Sequence, residues 1–242
     1  MTCTYTANAG FLLTAGDITV AVDAFPLQKT RGFSALAAAD FAALLQDDFS
    51  GRRLYVIATH DHPDHYSPER TAAFLASHPQ ACFLGAISPE RLPRFDSGQT
   101  IRLAGERPTY YFQGVTFEFA HLAHEGDAFS EVLNYGCLVT FPGTPARRIL
   151  FLGDAKPADP AVADWLAGKS IDLALLNFPW ICLPKGRRFL EQAVAPGRIA
   201  VLHLPYEADD GNHYLTVARK AAAVYRPQDT VLLTAFGQSF SL

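Results

Sequence analysis

Short apolar runs, separated by turn residues and by longer alanine- and leucine-rich stretches, recur along the whole chain. The runs at residues 11–13 and 18–22 flank Gly16-Asp17, a pair typical of tight turns. Gly10 to Phe25 is therefore predicted to form a β-hairpin. From Ser34 to about Phe49, leucine and phenylalanine recur at helical spacing, which predicts a helix with Ser34 as its N-cap.

The run at residues 54–58 predicts a buried strand that leads directly into a polar loop. Ser67 and Pro68 then predict a helix start, because serine is a good N-cap and proline is tolerated at the first helical position. Further strands are expected at residues 81–85, 135–141, 148–152, 172–176, 199–203 and 230–234, a meander at 100–103 and 115–119, and helices at 160–167, 186–194 and 214–225.

The two halves of the chain show comparable strand and helix patterns, although no internal sequence repeat is visible. Two such halves, each with helices outside a sheet, predict an α/β (α+β) protein with two sheets packed face to face. We therefore expect a four-layer αββα sandwich in which residues 1–242 form a single domain.

Composition is consistent with a compact protein, since 49% of the 242 residues are hydrophobic and 18% are charged. The net charge of -4 provides no basic field, which disfavours a nucleic-acid partner. The four cysteines are far apart, and we expect them to be reduced. The sequence has no signal-peptide pattern and no apolar stretch that could span a bilayer, so we expect a cytoplasmic protein without a membrane partner.

The loop after residues 54–58 contains three histidines and a well-placed carboxylate, His60, His62, Asp64 and His65. Neutral imidazole is the commonest protein ligand for zinc and similar ions, and a carboxylate can complete such a site. Residues two apart in an extended segment point to the same side, so His60 and His62 can share one ion. Asp64 and His65 follow the turn at Pro63 and can face a neighbouring position, which favours two metals over one.

This segment resembles the HxHxDH signature of the metallo-β-lactamase-fold superfamily, the αββα metal-dependent hydrolases. Residues 121–126, 149–155 and 199–203 resemble, in the right order, the family's segments with the third histidine, the bridging aspartate and the last histidine. His121 and His124 compete for the third-histidine role, and spacing alone does not decide between them. We favour His124, because His-Glu-Gly followed by an acidic loop resembles the family's strand exit better.

The resemblance implies a dinuclear centre. Its ligands would be His60, His62 and His124 for the first metal, Asp64, His65 and His203 for the second, and Asp154 as the bridge, with Asp64 also expected to be catalytic. The two divalent ions are expected to be zinc, with manganese or iron as alternatives. A bridging water of lowered pKa would then supply a hydroxide nucleophile.

Residues around these ligands suggest further roles. Asp23 matches in position an aspartate that supports the histidine loop in this family, although an ordinary strand-end aspartate fits equally well. The basic run from Lys185 to Arg188 lies in a predicted loop and either is solvated or binds a substrate phosphate or carboxylate. Trp180 is either a pocket wall or core, and a polar cluster at the rim of the cleft would contain Tyr206, Glu207 and His213.

The closest resemblance within the superfamily is to the intracellular single-domain hydrolases that include the ascorbate-phosphate lactonases. It rests on residues 8–10 and 153–155, where alanine at 155 departs from the threonine of many relatives. It implies hydrolysis of a lactone, phosphoester or thioester in a small substrate, with an anionic substrate among the expectations. The alternatives are a small-nucleotide phosphodiesterase and a metal-binding protein without turnover.

Overall fold

The structure is a computed structural model that describes residues 1–30, 32–92 and 100–242. The chain divides into two compact units, each with its own sheet and helices. The first unit contains Met1–Leu103, Leu204–Asn212 and Thr234–Leu242, and the second contains Ala104–His203 and His213–Leu233. That the whole chain acts as one domain stays a prediction.

The sheet of the first unit has seven strands within the described residues, in the order β14-β1-β2-β3-β4-β5-β6. They are β1 Thr2–Tyr5, β2 Phe11–Ala15, β3 Ile18–Val22, β4 Arg53–Ala58, β5 Cys82–Gly85, β6 Thr100–Arg102 and β14 Ser239–Ser241. The predicted hairpin is confirmed, since β2 and β3 pair antiparallel with Phe11 opposite Val22. Strands β3 to β6 run parallel, so their carboxyl ends lie at one edge of the sheet.

The first helix, α1 (Ala38–Gln46), begins later than the sequence pattern predicts. Ser34 is not its N-cap, because the serine is fully buried and its side chain is used in tertiary hydrogen bonds. Its Oγ donates to Asp209 at 2.7 Å and accepts from the backbone N of Tyr206 at 2.8 Å. The chain therefore stays irregular until Ala38.

The second helix, α2 (Pro68–Ser77), begins as predicted, with Ser67 Oγ accepting a hydrogen bond from the backbone N of Arg70 at 3.2 Å. Arg70 is itself buried. Its Nη1 donates to the carbonyl oxygens of Pro26 at 2.9 Å and Leu36 at 2.8 Å, and its guanidinium lies 4.9 Å from the centre of the Phe41 ring. One side chain of α2 thus holds the irregular segment before α1.

The sheet of the second unit also has seven strands in the part of the chain that is described, in the order β13-β12-β11-β10-β9-β8-β7. They are β7 Thr109–Phe112, β8 Val115–Leu122, β9 Asn134–Phe141, β10 Arg147–Phe151, β11 Leu173–Asn177, β12 Arg198–Leu202 and β13 Thr230–Leu232. Strands β7 to β10 are antiparallel and β10 to β13 are parallel. The predicted meander of residues 100–103 and 115–119 is wrong, because β6 pairs with β5 in the first sheet while β8 belongs to the second.

The helices of the second unit are α3 (Pro160–Leu166), α4 (Pro179–Cys182), α5 (Pro184–Phe189), which continues as a π-helical turn over Leu190–Val194, and α6 (Tyr214–Val224). The basic run from Lys185 to Arg188 therefore lies in a helix. The helix predicted at 186–194 is confirmed, and the loop that was also expected for the basic run is wrong. Nη1 of Arg187 donates to the carbonyl oxygens of Ile181 at 2.8 Å and Cys182 at 3.1 Å, so this cation stabilises the end of α4.

Trp180 is fully buried, and its ring lies 5.9 Å from that of Phe189, which makes it a core residue. Among the described residues, none of the helices has the length and apolar character needed to cross a lipid bilayer.

Candidate metal centre

The histidine loop of the first unit begins where strand β4 ends. Strand β3 runs parallel beside it, so Asp23 and Thr59 leave the sheet at the same edge. The backbone N of Asp23 donates to the carbonyl oxygen of Ile57 at 2.9 Å, and the φ angle of Asp23 is +44°. A left-handed conformation is costly for a non-glycine residue, and such strain is concentrated at functional sites.

The Asp23 carboxylate organises the loop. Its Oδ1 accepts from the backbone N of Thr59 at 2.8 Å, and its Oδ2 accepts from Thr59 Oγ1 at 2.7 Å and from His65 Nδ1 at 2.8 Å. Because Nδ1 of His65 carries the donated proton, its Nε2 keeps a lone pair. The Thr59 hydroxyl gives its proton to Asp23 and so accepts from His60 Nδ1 at 3.0 Å, which leaves a lone pair on His60 Nε2 as well.

The nitrogen atoms of this loop lie close together. Nε2 of His60 is 3.2 Å from Nδ1 of His62, and the rings of His60 and His65 have their centres 4.0 Å apart. Two ligands that each lie about 2.1 Å from a tetrahedral zinc ion are roughly 3.4 Å apart. The spacing of His60 and His62 therefore suits two ligands of one ion, and His60 and His65 are almost completely buried.

Asp64 is held by a residue that the sequence does not single out for this role. Nδ2 of Asn8 donates to the carbonyl oxygen of Asp64 at 2.9 Å and to its Oδ2 at 3.2 Å. Asn8 is fully buried and has a φ angle of +54°, a further left-handed residue beside the loop. One ligand atom of Asp64 lies within 4.8 Å of one of His65.

On the other side of the loop, Arg91 anchors Asp61, the residue between the first two histidines. Nη1 of Arg91 donates to the carbonyl oxygen of Asp61 and lies 3.4 Å from its Oδ2. The hydroxyl of Tyr66 donates to the carbonyl oxygen of Arg91 at 2.7 Å. Burial raises the pKa of Tyr66 well above its usual value, so this phenol stays a neutral donor.

In the second unit, His124 follows strand β8. His124 forms an isolated antiparallel bridge with Ala155, and the backbone N of Glu125 donates to the carbonyl oxygen of Asp154 at 2.8 Å. Nδ1 of His124 donates to the carbonyl oxygen of Glu125 at 2.7 Å, since a carbonyl can only accept. The lone pair of this imidazole is therefore on Nε2.

Asp154, which follows strand β10, lies near two imidazoles, that of His124 after β8 and that of His203 after β12. Its Oδ2 is 3.5 Å from Nε2 of His124 and 3.5 Å from Nε2 of His203. His203 has a φ angle of +56°, so the residue that ends β12 is also in the left-handed region. One carboxylate oxygen is thus equally distant from two imidazole nitrogens, at a spacing that suits ligands of a metal ion.

Two asparagines that sequence reasoning missed fix Asp154. Nδ2 of Asn177 donates to Oδ1 of Asp154 at 2.6 Å, and Oδ1 of Asn134 accepts from the backbone N of Asp154 at 3.0 Å. Asn177 is the last residue of β11, which pairs in parallel with β10. Its position at a strand end next to that of Asp154 is the signal that could have identified it.

Comparison with known proteins gives a fold but no family: no protein-family model and no curated protein matches the sequence. A solved "possible metal-dependent hydrolase" from Veillonella parvula superposes with a TM-score of 0.70 at 16% identity, over 100% of this chain and 99% of that one. YhfI from Bacillus subtilis, described as a metallo-β-lactamase fold protein, gives a TM-score of 0.64 at 15% identity over 99% and 98%. CmlA, a diiron β-hydroxylase from Streptomyces venezuelae, gives 0.65 at 14% identity over 100% of this chain and 54% of that one.

This chain has the metallo-β-lactamase fold. The predicted fold class is therefore confirmed. At 14–16% identity, these similarities support the fold but do not indicate the reaction. The descriptions of the three neighbours also differ in the chemistry that they name.

The residues on this metallo-β-lactamase fold match what a divalent ion needs. Each unit presents imidazole nitrogens with lone pairs beside a carboxylate, a set of donors that zinc, manganese and iron all accept. Ligand atoms lie within 4.8 Å of each other in His60 and His62, and likewise in His124 and Asp154. Within each unit, the predicted ligands are brought close together.

The structure also gives the surroundings of the other residues that the sequence singles out. His121 lies within β8, with its Nδ1 3.8 Å from Glu106 Oε1 and its ring beside that of Tyr135. The hydroxyl of Tyr206 donates to the carbonyl oxygen of Thr6 at 2.6 Å, a bond that supports the fold of the first unit. Glu207 begins a 3-10 turn, and His213 precedes α6 with a φ angle of +60°.

Proposed function

We propose that this protein is a divalent-metal-dependent hydrolase of the metallo-β-lactamase fold. The proposed ligands are those that the sequence resemblance implies: His60, His62 and His124 for one ion, Asp64, His65 and His203 for the other, and Asp154 as the bridge. The observation that supports this most directly is the position of Asp154 Oδ2, 3.5 Å from Nε2 of both His124 and His203.

The chain's own residues prepare the ligands for this role. Asp23 sets the tautomer of His65 directly and that of His60 through the Thr59 hydroxyl, so both imidazoles offer Nε2. Asn8 orients the carboxylate of Asp64, the residue that we propose as catalytic. Bound divalent ions would supply Lewis acidity, which polarises a carbonyl or phosphoryl group and makes water a better nucleophile at neutral pH.

The proposed substrates are small molecules with a lactone, phosphoester or thioester bond, as in the branch that includes the ascorbate-phosphate lactonases. A hydrolytic reaction is supported by the description of the neighbour from Veillonella parvula. We propose zinc as the resident metal, because histidine dominates the ligand set. An anionic substrate and a cytoplasmic location stay predictions.

The experiment that tests this proposal combines metal analysis of the purified protein with a panel of lactone, thioester and phosphodiester substrates. We expect about two equivalents of metal and turnover of one substrate class, which chelators abolish and added metal restores. His62→Ala is expected to lose metal and activity, and His121→Ala serves as the matched control that keeps both.

Of three further results, the first and the last would contradict the proposal, and the second would narrow it. Stoichiometric metal without turnover on any class, unaffected by His62→Ala, would identify a metal-binding protein. Turnover of bis(p-nitrophenyl) phosphate but no lactone would narrow the activity to a phosphodiesterase. Substrate conversion that depends on oxygen would replace hydrolysis by oxidation.

A further inference from the structure

Asn177 contacts one oxygen of the Asp154 carboxylate, and the two imidazoles lie near the other. Strands β10 and β11 pair in parallel, with Phe151 opposite Leu175, so Asn177 at the end of β11 lies beside the segment that follows β10. The side chain of Asn177 is buried, and its Nδ2 lies 2.6 Å from Oδ1 of Asp154. An amide nitrogen can only donate, so this carboxylate oxygen is the acceptor.

The two oxygens of Asp154 therefore have different surroundings. Oδ1 is bound by the amide of Asn177, whereas Oδ2 lies 3.5 Å from Nε2 of His124 and of His203. Hydrogen bonds to an ionised carboxylate are short and about twice as strong as neutral ones. The backbone N of Asp154 is held as well, by Asn134 Oδ1 at 3.0 Å, so the residue is fixed at both ends.

We propose that Asn177 is a positioning residue that reserves one oxygen of Asp154 for metal. By binding Oδ1, Asn177 keeps the carboxylate from rotating. Oδ2 is then the one oxygen that faces both His124 and His203. This inference rests on the proposed two-metal function and adds a residue to it. Without Asn177, the carboxylate could offer a different oxygen to each ion.

A purely structural role for Asn177 makes a different prediction. If the amide only satisfied a polar group at the end of β11, its loss would lower the stability of the metal-free protein and leave the loaded site unchanged. If Asn177 positions Asp154, replacing it weakens the binding of the second metal ion and changes the electronic coupling between the two metal ions. The spectrum of the loaded protein separates these roles without any measurement of activity.

The test uses Mn²⁺ as the probe with the full chain. Wild type, Asn177→Leu and the control His121→Ala are titrated with Mn²⁺ while electron paramagnetic resonance records isolated and exchange-coupled ions. We expect Asn177→Leu, which keeps the side-chain volume but lacks the donor, to bind the second Mn²⁺ about 10–100-fold more weakly and to show an altered coupled signal. His121→Ala should match wild type in both.

Wild-type affinity and a wild-type coupled signal in Asn177→Leu would overturn the inference while leaving the proposed function intact. Failure of the wild-type protein itself to bind two coupled ions would overturn the proposed function, and this inference with it. Should Asn177→Leu not fold, Asn177→Ser takes its place, because serine fits the site and its shorter side chain no longer holds Oδ1 at 2.6 Å. The same weakening of the second ion is expected for it.

Discussion

Nδ1 of His65 donates a hydrogen bond of 2.8 Å to Oδ2 of Asp23, and both side chains are almost completely buried. This contact joins the end of β3 to the histidine loop that follows β4. The same carboxylate oxygen accepts from the Thr59 hydroxyl, so one aspartate sets the orientation of two imidazoles. Asp23 thus acts on the site without being one of the proposed ligands.

Asp23→Asn should therefore weaken metal binding about 10–100-fold, the usual effect of losing a partner of a ligating histidine. The carboxylate accepts three hydrogen bonds on its two oxygens, whereas the amide has one acceptor oxygen and an NH2 group that can only donate. Competition with a chromophoric chelator measures the affinity. The control is Asp17→Asn in the same hairpin, which breaks an exposed ion pair with Arg53 and should leave metal affinity unchanged. Equal affinities for Asp23→Asn and wild type would refute the role.

His124 and His121 should behave differently when each is replaced by alanine. Nε2 of His124 faces Asp154 at 3.5 Å, whereas Nδ1 of His121 lies 3.8 Å from Glu106. His124→Ala is expected to lose about one equivalent of metal and at least ~100-fold in kcat/KM, because a proposed ligand is removed. His121→Ala should retain its metal and change kcat/KM by no more than about threefold. The reverse order in metal analysis would assign the third-histidine role to His121.

Gly186→Ala should destabilise the second unit. A Cβ atom at this position would run into the backbone of Trp180, which has little freedom to move. We expect a loss of roughly 1–3 kcal/mol, in spite of the better helix propensity of alanine. Denaturant melts measure it. Gly211→Ala is the control, since within the described residues no atom outside the adjoining ones lies within 4 Å of a Cβ built there. A Gly186→Ala protein as stable as wild type would show that the close approach is relieved cheaply.

Stability should fall at alkaline pH. Burial raises the pKa of Cys3 from 9.0 to about 12, so the folded protein keeps this thiol protonated when the unfolded chain has released its proton. The contribution of this protonated thiol to the free energy of unfolding is complete below about pH 9. It is lost as pH rises toward 12, because the unfolded state then binds fewer protons than the folded state. Melting temperatures between pH 8 and pH 10.5 should decline, and the decline should be shallower in Cys3→Ala. Equal slopes in the two proteins would contradict the assignment.

Elements with a strong local pattern were predictable from the sequence. The hairpin, strand β4 and the Ser67 cap of α2 depend on neighbours within a few residues, and all three are found. The start of α1 was not predictable, because the Ser34 side chain is used by Asp209 and Tyr206, which are distant in sequence. At Lys185 to Arg188 the local signals conflicted: proline and glycine suggested a loop, whereas the apolar pattern predicted a helix at 186–194. The helix is found, with Pro184 at the first helical position of α5.

The histidine loop and its resemblance to a known signature could be identified without the fold, because those ligands are close together along the chain and their spacing is visible there. Tertiary structure alone decided which atoms hold these ligands in place. Asn8, Asn134 and Asn177 reach Asp64 or Asp154 through the folding of separate segments, at distances of 2.6 to 3.2 Å. An asparagine has no sequence signature for such a role, because its role depends on which partner the fold places beside its side chain.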